Sequence, residues 1–133
     1  MTSKITYNGN LRTTCEHIKS GNTFITDAPT DNNGKGEAFS PTDTVVTALA
    51  SCMLTVMGIK ADQLNVDMIN ATAEVVKTMA SNPRRISKID MVIKLPKSYD
   101  EKTKSISEHT ANTCPVHFSL HPDIEKNISF VYG

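Results

Sequence analysis

The segment that most constrains this chain runs from Ser40 to Lys60, Ser-Pro-Thr-Asp-Thr-Val-Val-Thr-Ala-Leu-Ala-Ser-Cys-Met-Leu-Thr-Val-Met-Gly-Ile-Lys. Its first residues gather helix-start signals: Ser40 suits the N-cap, Pro41 suits the first helical position, and Asp43 falls where a carboxylate meets unpaired amides and the positive end of the dipole. The spacing predicts a helix over roughly 41–61. Its apolar positions, Val45, Val46, Ala48, Leu49, Cys52, Met53, Val56, Met57 and Ile59, exceed one stripe, which predicts burial on most sides, in the centre of the fold or at a subunit interface. Any fold for this chain must therefore enclose a long helix.

The flanking sequence supplies strands to enclose it. Loose alternation from Ile5 to Thr26, punctuated at Gly9 and Ser20-Gly21-Asn22, predicts a meander with strands near 3–7, 11–18 and 23–26. Residues Asp27 to Glu37 are dense in turn formers and predict an exposed loop. Leu64 to Met79 and Ile86 to Leu95 are β-branched runs joined by a turn at 81–85, and Ile89, Met91, Ile93 and Leu95 share one face at period two. An amphipathic helix over Tyr99–Thr113 ends at the Cys114-Pro115 step, and a strand over Ile128–Tyr132 follows. Strands, helix, strands, helix and strand give an α+β class, and 133 residues fit a single domain, 1–133.

Composition narrows the function. The formal net charge is zero and no basic stripe is present, which argues against a nucleic-acid partner. The N-terminal residues lack an apolar leader core, and no segment is expected to reach the roughly 18 apolar residues of a membrane helix, so the expectation is a cytoplasmic protein without a membrane partner. Three cysteines are too few for a disulfide scaffold in a reducing compartment, so any disulfide there would be transient and functional.

Chemistry therefore rests on Cys52, inside the helix, and Cys114, which opens Cys-Pro-Val-His-Phe-Ser-Leu. A cysteine on a packed helix is commonly core filler, and in apolar surroundings its thiol resists ionisation. Cys52 lies beyond the first turn, so a cation from another segment has to assist it. Of the three arginines, Arg12 sits on a predicted strand and can be aimed inward, although it can equally pair with an acidic neighbour on the sheet. Cys114 precedes Pro115 at a helix start, where free amides favour a thiolate. Two thiols allow a cycle in which a sulfenic acid on one condenses with the other. Cys15 is either unrelated or an alternative resolving thiol. Cys114, His117 and His121, with His109, make a loose metal-like spacing lacking paired knuckles, so neither metal nor cofactor is expected.

The phrases Ser-Pro-Thr-Asp-x-Val-x-x-Ala-Leu-Ala-Ser-Cys-Met and Cys-Pro-Val-His resemble the OsmC/Ohr family of bacterial hydroperoxide-detoxifying proteins. Tyr7-x-Gly-x-Leu-Arg12, the run from Ser20 to Pro29, and Asn82-Pro-Arg-Arg-Ile-Ser-Lys-Ile89 add to the likeness, which spans nearly the whole chain. The resemblance implies antiparallel sheets around a long central helix in an intertwined homodimer with sites at the interface. It implies Cys52 as the peroxidatic cysteine, Cys114 as the resolving one and Arg12 as the arginine that orients and ionises the thiolate. It also implies an organic hydroperoxide substrate, a role in oxidative stress defence, and dithiol reductants such as lipoylated proteins. Met53 and Met57 are expected to wall the site with apolar surface.

One position departs from the family, which places a glutamate after the helix-opening proline where this chain has Thr42, followed by Asp43. Asp43 either substitutes or caps the helix. At 1.5 Å and about 100° per residue, Asp43 and Cys52 lie about 14 Å apart on opposite helix faces, so an acid serving Cys52 would come from a second subunit or across a broken helix. A non-catalytic small-ligand-binding protein on the same scaffold, and a Cys/His acyl hydrolase using Cys52 with His109, His117 or His121, are the rival readings.

Overall fold

The computed structural model describes residues 1–133. The chain divides into two compact units, Met1–Val45 and Val46–Gly133.

The first unit is an antiparallel meander of β1 (Ser3–Gly9), β2 (Arg12–His17) and β3 (Thr23–Asp27). Gly9, Asn10 and Leu11 all take positive φ, which reverses the chain between β1 and β2. In the β2–β3 pairing Arg12 stands opposite Asp27 and Cys15 opposite Phe24. A loop with one 3-10 turn, Thr30–Asn32, then leads to the long helix.

That helix, α1 (Pro41–Leu64), runs unbroken and three residues beyond the expected end. The Ser40 amide donates to Asp43 Oδ2 at 2.9 Å and the Asp43 amide donates to Ser40 Oγ at 3.1 Å, a reciprocal cap of the kind that contributes about 1 kcal/mol. Asp43 thus serves the start of its own helix.

In the second unit, β4 (Thr72–Ala80) and β5 (Arg85–Leu95) form the expected hairpin. The helices α2 (Glu101–Asn112) and α3 (Pro115–Ser119) follow, and β6 (Glu125–Tyr132) completes the sheet in the order β4-β5-β6. The expectation of wholly antiparallel sheets needs one correction, because β6 runs parallel to β5. The cause is the connection: α2 and α3 carry the chain back to the starting end of β5, which only a crossover segment can do. The region from Leu64 to Ala71 also departs from the expected strand. Asn65 takes a left-handed conformation just past α1, and Asp67 Oδ1 then accepts the Ile69 amide in a turn at 2.9 Å.

The core of this unit forms where α1 meets β5. Ile89, Met91, Ile93 and Leu95 are buried on one sheet face, as their period predicts, and pack with Leu49, Met53 and Met57. Burial along α1 is narrower than expected. Val46, Leu49, Ala50, Met53, Met57 and Ala61 form one stripe at helical spacing, whereas Val45 and Ile59 remain exposed. A further correction concerns helix length. The 24 residues of α1 are long and apolar enough to cross a membrane. About a third of that stretch is buried in the core.

Candidate functional site

The second unit places Cys52 and Cys114 together. Cys52 is half-buried on α1 and packs against the core, while Cys114 is 1% exposed just before α3. Cys114 is the N-cap of α3, with Pro115 at the first helical position, and its Sγ accepts the His117 amide at 3.4 Å. The sequence expectation that this sulfur meets free helix amides holds.

Its electrostatic consequence differs from expectation. Burial pushes the Cys114 thiol above its ordinary range, the His117 amide works in the opposite direction, and the neighbouring Cys52 thiol raises it further. Desolvation outweighs the amides, so Cys114 is held as a protonated thiol at neutral pH rather than as a thiolate. His117 approaches the thiol through its backbone. Its ring lies edge-on to Phe118 with centroids 6.2 Å apart, and burial, then the Lys126 charge, hold its imidazole below the usual histidine range. His121 lies near Asp123 at 3.8 Å, and no three histidine, cysteine or acidic side chains gather where they could hold a metal ion.

The first unit builds the surroundings of Arg12. Its Nη2 lies 3.4 Å from Asp27 Oδ2 and 2.7 Å from Glu37 Oε1. Asp27 is almost wholly buried at the end of β3, and its Oδ2 also accepts the Glu37 amide at 3.0 Å. That amide bond, opposed by burial and aided by Arg12, holds the Asp27 carboxyl below the usual range. Of the two alternatives for Arg12, the sheet therefore supplies the acidic partner, Asp27, and the loop adds another.

Sequence reasoning missed Asp27 and Glu37 as members of this cluster. Asp27 was legible in principle: a β2–β3 hairpin turning near Ser20-Gly21 sets residue 12 across from residue 27. Glu37 carried no such signal. Its position depends on how the loop doubles back, with the Asn32 and Gly34 amides donating to Pro29 O and the Gly36 amide to Ala28 O. A Cβ on Gly34 would fall 1.7 Å from the Ala28 carbonyl oxygen, so the loop requires glycine there.

The expected apolar wall of Met53 and Met57 does not form, because both lie within the core with 0% and 2% exposure. Open apolar surface occurs instead in the first unit, where Phe24, Ile25, Ala38 and Phe39 line a shallow hollow of about 520 Å³ with Glu37 and Asp43 at its edge.

Comparison with known proteins adds to this geometry. The sequence profile of OsmC, described as OsmC-like protein, matches residues 34–129. No curated protein sequence matches the chain. Among solved structures, a Psychrobacter arcticus protein named for osmotic stress induction and detoxification response is 53% identical, with 98% of this chain and 95% of that one covered and a TM-score of 0.95. An organic hydroperoxide resistance protein of Legionella pneumophila shares the fold at 11% identity, covering 98% and 97%, with a TM-score of 0.76. A hydroperoxide resistance protein of Vibrio cholerae shares it at 13% identity, covering 98% and 91%, with a TM-score of 0.75.

Proposed function

Since the chain belongs to the OsmC-like protein family, we propose that it is a thiol-dependent peroxidase that reduces organic hydroperoxides. Family membership, with relatives named for detoxification and hydroperoxide resistance, supports a redox role in stress defence. The observation that carries the finer reading is the pair of neighbouring thiols, Cys52 half-buried and Cys114 buried.

The cycle follows from that pair. Cys52, as thiolate, attacks the outer peroxide oxygen; the O–O bond breaks, the alkoxide leaves and takes a proton from solvent, and Cys52 becomes a sulfenic acid. Cys114 then attacks the sulfenic sulfur. Its thiol proton leaves with the hydroxide as water, and a Cys52–Cys114 disulfide remains. A dithiol donor restores both thiols by becoming a disulfide itself. Arg12 is the cation assigned to the thiolate and to the charge developing on the peroxide oxygens. Reaction of the reduced protein with one equivalent of cumene hydroperoxide is expected to give this disulfide, read by mass mapping of the peptides. Two free thiols after that treatment would remove the proposal.

The proposal includes a homodimer. Ile5, Tyr7 and Phe24 on the first sheet are 56%, 65% and 53% exposed, an apolar surface of the kind that marks interaction sites. Sedimentation equilibrium is expected to give twice the 14.5 kDa chain mass, and a monomer throughout the micromolar range contradicts it.

The hollow beside Glu37 and the threonine at position 42 favour a second reading, a small-ligand-binding protein without turnover. It predicts thermal stabilisation by an apolar ligand together with unreacted hydroperoxide, whereas the peroxidase consumes the hydroperoxide.

A further inference from the structure

Arg12 is gripped by two carboxylates that differ sharply in setting. Asp27 is 1% exposed, and its ionised carboxyl is fixed at Oδ2 by the Glu37 amide while Oδ1 has no hydrogen-bond partner. Glu37 is 59% exposed at its side chain, yet makes the shorter contact, 2.7 Å against 3.4 Å. The same residue therefore acts twice, its amide anchoring Asp27 and its carboxylate holding Arg12. An isolated surface ion pair would owe little to such an arrangement. A guanidinium whose Nη2 is held by a buried and an exposed carboxylate at once loses rotational choice.

We propose that Asp27 and Glu37 are positioning residues for Arg12, Asp27 as the buried anchor and Glu37 as the solvent-facing brace that supplies the carboxylate lacking at Thr42. This inference rests on the reading of Arg12 as the cation that serves Cys52. Asp27 stays charged at neutral pH and meets the guanidinium at Nη2. Glu37 meets the same nitrogen from the solvent-exposed loop, and the Gly34 turn sets where it stands.

Two measurements separate this assignment from the peroxidase reading. Phenylglyoxal labelling of Arg12, mapped by peptide mass, requires no turnover; Glu37→Gln is expected to speed it about threefold, the scale of an exposed ion pair, and Glu37→Asp to give an intermediate rate. Single-turnover oxidation by cumene hydroperoxide is expected to slow about tenfold in Glu37→Gln and recover in part in Glu37→Asp. In an Arg12→Ala background Glu37→Gln is expected to change nothing further. Unaltered Arg12 labelling overturns the brace, and an equal loss of rate with and without Arg12 shows that Glu37 does not act through it. A wild-type protein inert to hydroperoxide defeats the peroxidase reading alone, because the labelling rates still decide the positioning.

Discussion

Cys52→Ser is expected to lower organic hydroperoxide turnover by at least about a thousandfold, the scale on which removal of an attacking nucleophile acts. A serine hydroxyl is isosteric to within a few tenths of an ångström but remains protonated near neutrality, so it presents no anion to the O–O bond. Cys114→Ser is expected to behave differently. The first oxidation proceeds, one equivalent of peroxide is consumed, and the sulfenic acid on Cys52 persists long enough to be trapped by dimedone. Full steady-state turnover in Cys52→Ser would end the peroxidase reading, and turnover lost with no trapped sulfenic acid in Cys114→Ser would end the assignment of attacking and resolving roles.

Leu49→Ala is the substitution expected to cost most in stability, about 3 kcal/mol in urea unfolding. Leu49 has no exposed surface and belongs to the cluster that joins α1 to Ile89, Met91 and Ile93, so truncation leaves a void that rigid strand neighbours fill only partly. Ile59→Ala on the same helix removes the same number of carbons from a side chain that is 56% exposed, and its expected cost is within about 0.5 kcal/mol. Similar losses at both positions would contradict the single buried stripe along α1.

Much of this arrangement was legible before any coordinates. Ser40, Pro41 and Asp43 marked the start of α1, the period of Ile89 to Leu95 marked the buried face of β5, and Pro115 marked the helix that Cys114 caps. These are local signals, set by capping chemistry and side-chain alternation. Where the reading failed, the deciding interaction was distant. Val66 and Ile69 suggested a strand, but the segment is a turn whose Asp67 carboxylate meets Lys97 at 2.9 Å and whose Asp67 carbonyl accepts the Tyr99 hydroxyl at 2.8 Å. The raised Cys114 thiol was hidden for the same reason, since desolvation depends on what packs around a sulfur and not on its neighbours in sequence. Glu37 lies in an aperiodic loop, where no pattern foretold its reach to Arg12.

The parallel pairing of β5 with β6 has a consequence for the order in which the second unit assembles. The β4–β5 hairpin joins strands that are near in sequence and closes on the microsecond scale of such turns. β6 meets β5 only after two intervening helices have turned the chain around, a contact of long sequence separation whose loop-closure entropy must be met before its hydrogen bonds form. Until then the Lys88–Leu95 edge of β5 is an unpaired template. The interval before β6 arrives is thus the stage at which this chain is most exposed to aggregation, and conditions that slow its docking would lower the yield of folded protein without altering the stability of what does fold.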